Sequence, residues 1–166
     1  MSEFTVSLII ISSFISTFLI VVIGLSKSQL KKSERLINKI DLTKYKKANI
    51  KFRQATSSKG KITTGVYTKC NMIFNKNTMI IVPKEKSYFN ILFSKLPIII
   101  AKNKEEYEKS ISSFDIVIPD KIKIISWNLL IIEFNKQKLL NVKYDLSIKF
   151  NSKSDIEEFK EIYLAK

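Results

Sequence analysis

The chain has no histidine and a single cysteine among its 166 residues, with only three glycines and three prolines. Without histidine there is no Ser-His-Asp or Cys-His nucleophilic system, no imidazole metal ligand and no imidazole pH switch. A lone cysteine permits no internal disulfide. The glycines, at Gly24, Gly60 and Gly65, are too sparse to build a phosphate-cradling loop of the mononucleotide or dinucleotide type. Much ordinary enzyme chemistry is thereby excluded, and the expectation is a protein that is not an enzyme and needs no cofactor.

What the chain has instead is a long uncharged run. From Thr5 to Leu25 it reads TVSLIIISSFISTFLIVVIGL, between Glu3 and Lys27. As a helix this is about 31 Å long, against a hydrocarbon core of about 30 Å. A cleavable signal peptide would need a basic start, a shorter apolar stretch and a small-residue cleavage site. This chain begins Met-Ser-Glu-Phe, and its run closes on Ile23-Gly24-Leu25-Ser26. Residues 1–25 are therefore expected to be an uncleaved single-pass transmembrane anchor. Lys27, Lys31, Lys32 and Arg35 follow it while Glu3 alone precedes it, so the positive-inside rule puts the N-terminus outside and the C-terminal part in the cytoplasm. Ser13, Thr17 and Gly24 fall near one helical face that could pair two anchors into a homodimer, although Ser and Thr hydroxyls also bond their own helix carbonyls.

Charge is concentrated next to this run. Residues 26–61 hold twelve basic and two acidic side chains, a net +10 of the total +14. Each Lys or Arg near an anionic leaflet contributes about 1 kcal/mol. Lys27, Lys31, Lys32, Arg35, Lys59 and Lys61 are accordingly the candidate contacts to anionic lipid head groups, and 26–47 reads as a basic juxtamembrane helical linker lying near the membrane. Of the 29 basic residues 27 are lysine, a skew that composition alone produces. Nucleic-acid binding is disfavoured, because there are two arginines and no recognition element.

Residues 48–166 read as one β-rich domain with a C-terminal helix over 154–165. Ile50 and Phe52 begin a first strand; Ile62, Thr64, Val66, Thr68 and Cys70 alternate in a second. Met72–Phe74 and Thr78–Val82 flank a turn at Asn75-Lys76-Asn77, and Pro83 ends that run. Tyr88–Phe93 and Pro97–Ala101 are further apolar runs, Asn103 could cap a short helix, and Phe114–Ile118 resumes the extended pattern. Strands then flank Trp127-Asn128, with a loop at 135–138. Leu140, Val142, Tyr144, Leu146, Ile148 and Phe150 alternate with polar residues, which predicts a half-buried strand. Ser154-Asp155-Ile156-Glu157 reads as a capping box, and Ile156, Phe159, Ile162 and Tyr163 make a helical apolar stripe.

The order GVYTKCNMIFNKNTMIIVP (65–83), IPDKIKIISWNLLIIEF (118–134), a long strand and SKSDIEEFKEIY (152–163) resembles the pleckstrin-homology-like (PH-like) superfold, particularly its GRAM-type and bacterial members. The resemblance implies a mainly-β, two-sheet barrel or sandwich of nearly orthogonal antiparallel sheets, plugged by the C-terminal helix. It also implies binding to phosphoinositides, peptides or protein partners, the lipid binders using basic residues in the loop between the first two strands. Here Ser57, Ser58, Lys59, Gly60 and Lys61 occupy that loop.

Other candidate chemistry is sparse. Cys70 reads as a buried inert thiol. Glu105, Glu106 and Glu108, and Asp155, Glu157, Glu158 and Glu161, cluster near helix starts, where acidic residues suit the macrodipole. No calcium-loop pattern appears, so no metal site is assigned. Trp127 is expected in the core, with an interface anchor as the alternative. The reading is a non-catalytic cytoplasmic binding or scaffold domain behind an anchor, apposed to the membrane or to a protein partner. A membrane-anchored immunity or inhibitor protein that neutralises a toxin or enzyme is the alternative.

Overall fold

The computed structural model describes residues 3–58, 61–84, 97–102, 116–137 and 142–165. It opens with one helix, α1 (Glu3–Lys39), followed by a 3-10 turn at Leu42–Lys44. The strands are β1 (Lys46–Ser58), β2 (Lys61–Thr64), β3 (Thr68–Phe74), β4 (Thr78–Pro83), β5 (Ile98–Ala101), β6 (Ile116–Val117), β7 (Lys121–Ser126), β8 (Leu129–Gln137) and β9 (Val142–Phe150). A closing helix, α2 (Lys153–Phe159), widens into a π turn over Lys160–Leu164. The expected runs at Tyr88–Phe93 and after Asn103 lie outside the described residues.

The described strands form one sheet in the order β6-β5-β4-β3-β1-β9-β8-β7, with β2 added to the far half of β1. Every neighbouring pair is antiparallel except β5 and β6. Where the family resemblance implies two sheets, the described strands make one curled sheet, continuous through the β1–β9 pairing that runs from Ile50↔Phe150 to Ser57↔Lys143. Strands β6 and β7 stand at opposite ends of the sheet order, yet only Ile118, Pro119 and Asp120 separate them in sequence. Four residue steps span at most about 14 Å, so the sheet curls until its two ends nearly meet.

Alternation decides what each face meets. In β8 and β9, Leu130, Ile132, Phe134, Leu146, Ile148 and Phe150 turn inward, and Ser147 and Lys149 point the other way. On that outer face Lys149 is exposed, whereas Ser147 is itself buried. Strands β4 and β5, and the Ile73 end of β3, are apolar on both faces: Met72, Phe74, Met79, Ile81, Ile98 and Ile100 join the inner cluster, whereas Ile73, Ile80, Val82 and Ile99 form an outer one.

Helix α2 fills the concave side. Ser152, rather than the expected Ser154, is its N-cap, its hydroxyl accepting from the Asp155 N–H at 3.1 Å. Phe159 lies at ring-centroid distances of 5.3 Å from Phe74, 5.6 Å from Phe150 and 5.1 Å from Tyr163. The concave side of the curled sheet is thus packed with side chains.

Helix α1 covers the convex side. The helix does not stop at the apolar run but continues unbroken through the stretch read as a linker, and Leu36 and Ile40 sit in the outer cluster with Tyr45, Ile73, Ile80, Val82 and Ile99. The linker's one apolar stripe is thus core rather than membrane-facing, because β3–β5 need a second layer. After it the chain turns at Asp41, whose carboxylate accepts from the Thr43 hydroxyl (2.7 Å) and N–H (3.2 Å), and β1 begins at Lys46, two residues before the expected Ala48. The Thr43 hydroxyl, then its N–H, hold the Asp41 carboxyl below the usual range.

Candidate membrane anchor and binding surfaces

Helix α1 has two parts that differ in what surrounds them. From Phe4 to Val21 every residue is exposed, including Phe4, Ile10, Phe14 and Ile20. From Val22 onward one face is covered by the rest of the chain: Val22 (2% exposed), Ser26, Ser33, Leu36 (0%) and Ile40 recur at helical spacing. This is one helix near the N-terminus that is long and apolar enough to cross a membrane. Within it Ser16 donates to the Ser12 carbonyl at 2.8 Å and Thr17 to that of Ser13 at 2.9 Å. A Cβ added at Gly24 would meet nothing within 4 Å, leaving that part of the helix surface open.

The basic residues read from sequence do not form one cluster. Lys27, Lys31, Lys32 and Arg35 are exposed on α1, away from its seated face. Lys61 starts β2, paired with Ser58, its side chain outside the described residues, and Lys59 lies outside them altogether.

A second basic group emerges only from strand register. Lys51 stands opposite Lys69 on β3 and opposite Lys149 on β9. The Lys84 N–H donates to the Lys69 carbonyl at 3.1 Å, adding a fourth lysine to the row. All four are exposed on the convex face. One step further along β1, the Arg53 guanidinium lies 4.8 Å from the centre of the Tyr67 ring, and Lys149 lies 5.9 Å from it. The Gly65 N–H bonds the Gln54 carbonyl at 2.9 Å, and a Cβ at Gly65 would come within 3.2 Å of that oxygen. This tight approach breaks the expected continuous run 62–70 into β2 and β3 and pushes Val66 outward, 75% exposed.

Trp127 is not core: it is 58% exposed in the two-residue turn between β7 and β8, beside the exposed Ile125. Ser126 donates to Asn128 across that turn, and the Phe150 N–H bonds the Asn128 carbonyl at 2.8 Å, so the chain leaves no inward path for the indole.

The remaining polar groups have structural work. Lys46 pairs with Glu158 at 3.2 Å, Lys160 with Glu157 at 3.0 Å, and Lys123 with Glu133. Glu105, Glu106 and Glu108 lie outside the described residues. Among the described residues no three His, Cys, Asp or Glu side chains are grouped to hold a metal. Cys70 is fully buried, and burial pushes its thiol up to about 12, so it stays protonated at neutral pH. The Tyr163 hydroxyl is likewise raised by burial. A shallow groove of about 420 Å³ between the 3-10 turn, the β3–β4 turn and α2 is lined by Lys44, Lys46, Lys76, Asn75 and their neighbours, with no carboxylate or thiol in its wall. Compared with family models, curated proteins and solved structures, the chain matches none.

Proposed function

We infer that the chain is a single-pass membrane protein whose β domain is a PH-like, non-catalytic binding module, held at the cytoplasmic face by a helix that is both anchor and structural layer. The observation that carries this is the change in α1 at Val22: about 27 Å of bare apolar helix from Phe4 to Val21 passes without a break into a face seated on the domain. A water-exposed helix of that composition is unfavourable, and a bilayer is the solvent that suits it. The PH-like reading is supported by the pairing of the first strand with the last and by a C-terminal helix in the concave face. Non-catalytic function is supported by the neutral, buried Cys70 and by carboxylates engaged in ion pairs.

The cytoplasmic orientation rests on Lys27, Lys31, Lys32 and Arg35 against the lone Glu3. In protease protection on sealed right-side-out cells the β domain should survive external protease. Digestion from outside would sink the orientation.

An immunity or inhibitor role is favoured by one observation, the exposed Trp127 and Ile125 on a hairpin tip, since solvent-facing tryptophan is enriched among interface anchors. That reading expects a gene for a toxic enzyme beside this one and loss of protection in Trp127→Ala.

A further inference from the structure

We propose that Arg53, Lys51 and Lys149, gathered around the ring of Tyr67 on the convex face, form a binding site for a phosphomonoester group. The proposal rests on the reading of the β domain as a non-catalytic binding module and names the chemistry that module takes.

Strand register builds the site. Ile50 and Phe52 face the core, so Lys51 and Arg53 face outward, Lys51 opposite Lys149 and Arg53 opposite Ser147 on β9. On the other side of β1, Phe52 pairs with Thr68, so Tyr67 continues the register to stand across from Arg53. The bond from the Gly65 N–H to the Gln54 carbonyl pins the incoming loop to β1 beside Arg53, which sets the ring before any ligand arrives. The Arg53 guanidinium lies 4.8 Å and the Lys149 ammonium 5.9 Å from the ring centre, so one ring gathers two cationic heads.

Charge decides the ligand. Among the described residues, Arg53, Lys51 and Lys149 form no ion pair. Lys69, opposite Lys51, has contacts of its own and is not counted. In the register the nearest acidic position on this face is Asp145, opposite Ala55; it makes no ion pair with Arg53, and Glu133 beside it is taken up by Lys123. Three cations against one carboxylate leave a net of two positive charges. A carboxylate ligand would neutralise half of that, whereas a phosphomonoester carries about −1.5 to −2 near neutral pH and offers three acceptor oxygens.

The kind of cation points the same way. Of the 29 basic residues only Arg35 and Arg53 are arginine. The Arg53 Nε is buried without a hydrogen-bond partner, which costs stability, and a ring rather than a carboxylate holds the guanidinium. Its charge thereby stays available. The planar fork suits two phosphate oxygens at once, and the flexible stems of Lys51 and Lys149 let their ammoniums close on what remains.

The test uses the full chain with 15N-labelled arginine in nanodiscs of neutral phosphatidylcholine, where the Arg53 Nε–H signal is the one that survives Arg35→Lys. Glycerol 3-phosphate is the soluble probe, and phosphatidic acid built into the disc is the lipid one. The Arg53 signal should shift saturably, with glycerol 3-phosphate where the source of the group is soluble and with phosphatidic acid alone where it is a lipid head group. Affinity should fall by about ten-fold or more in Lys51→Gln/Lys149→Gln. It should rise several-fold in Asp145→Asn, a gain that a merely structural role does not produce. A signal unmoved by both probes overturns the proposal, and so does unchanged affinity in the double variant. An equal response to acetate, or to phosphatidylglycerol at matched charge, overturns it as well, because that is attraction to charge alone. Phosphorus spectra read the underlying module separately: an intact ester with an unmoved Arg53 signal overturns this site alone, whereas release of inorganic phosphate removes the non-catalytic reading.

Discussion

Phe159 shows how much a single side chain carries. It is fully buried and touches aromatic rings from β3, β9 and its own helix. Phe159→Ala should cost about 3–5 kcal/mol, a large share of a total stability of about 5–15 kcal/mol, and thermal melting of the full chain should fall accordingly. An unchanged melting temperature would mean that α2 does not plug the sheet. Cys70 yields a prediction in pH. An exposed thiol releases its proton near 9, the folded one near 12, so between these values the folded state binds more protons. Stability should therefore be insensitive to this group below about pH 9 and fall as pH rises from there toward 12. Tyr163 acts in the same direction at higher pH. Melting followed from about pH 8 to 11 should slope downward, less steeply in Cys70→Ala; equal slopes would deny the thiol its role.

Elements were legible where apolar and polar residues alternate. The alternation through Leu146, Ile148 and Phe150 declared both a strand and its inner face, because Ser147 and Lys149 separate the apolar positions, although Ser147 turns out to be buried on the outer side. The runs Thr78–Val82 and Ile98–Ala101 were legible as strands but not as a two-sided layer, since periodicity is silent about what covers a uniformly apolar segment. The covering came from Leu36 and Ile40, whose stripe is diluted by six charged residues from Lys27 to Lys39. Trp127 was misplaced because a large apolar residue between two strands looks like core until the turn geometry lifts it out. The lysine row was invisible for another reason: Lys51, Lys69, Lys84 and Lys149 are neighbours only through register. Two sets of substitutions on α1 separate its roles. Leu36→Ala should destabilise the domain by about 2–5 kcal/mol. Charge reversal at the exposed Lys27, Lys31, Lys32 and Arg35 should leave the melting temperature nearly unchanged while altering orientation in the membrane. The reverse pattern would show that the helix end is not a structural layer.

At the scale of the whole molecule, the bare apolar stretch and the β domain are joined by one unbroken helix. The outer layer of the domain is that helix's continuation, so on the proposed anchor reading the domain does not swing on a linker. Cysteine scanning along α1 with a membrane-impermeant maleimide tests this most directly. The account predicts an unreactive block from about residue 5 to 21, all round the helix, followed by labelling with helical period, in which Lys27, Lys31 and Lys32 react while Ser26, Ser33, Leu36 and Ile40 are protected. Uniform labelling through the first block would place the apolar helix in water, and uniform labelling through the second would detach it from the domain; either result contradicts the account.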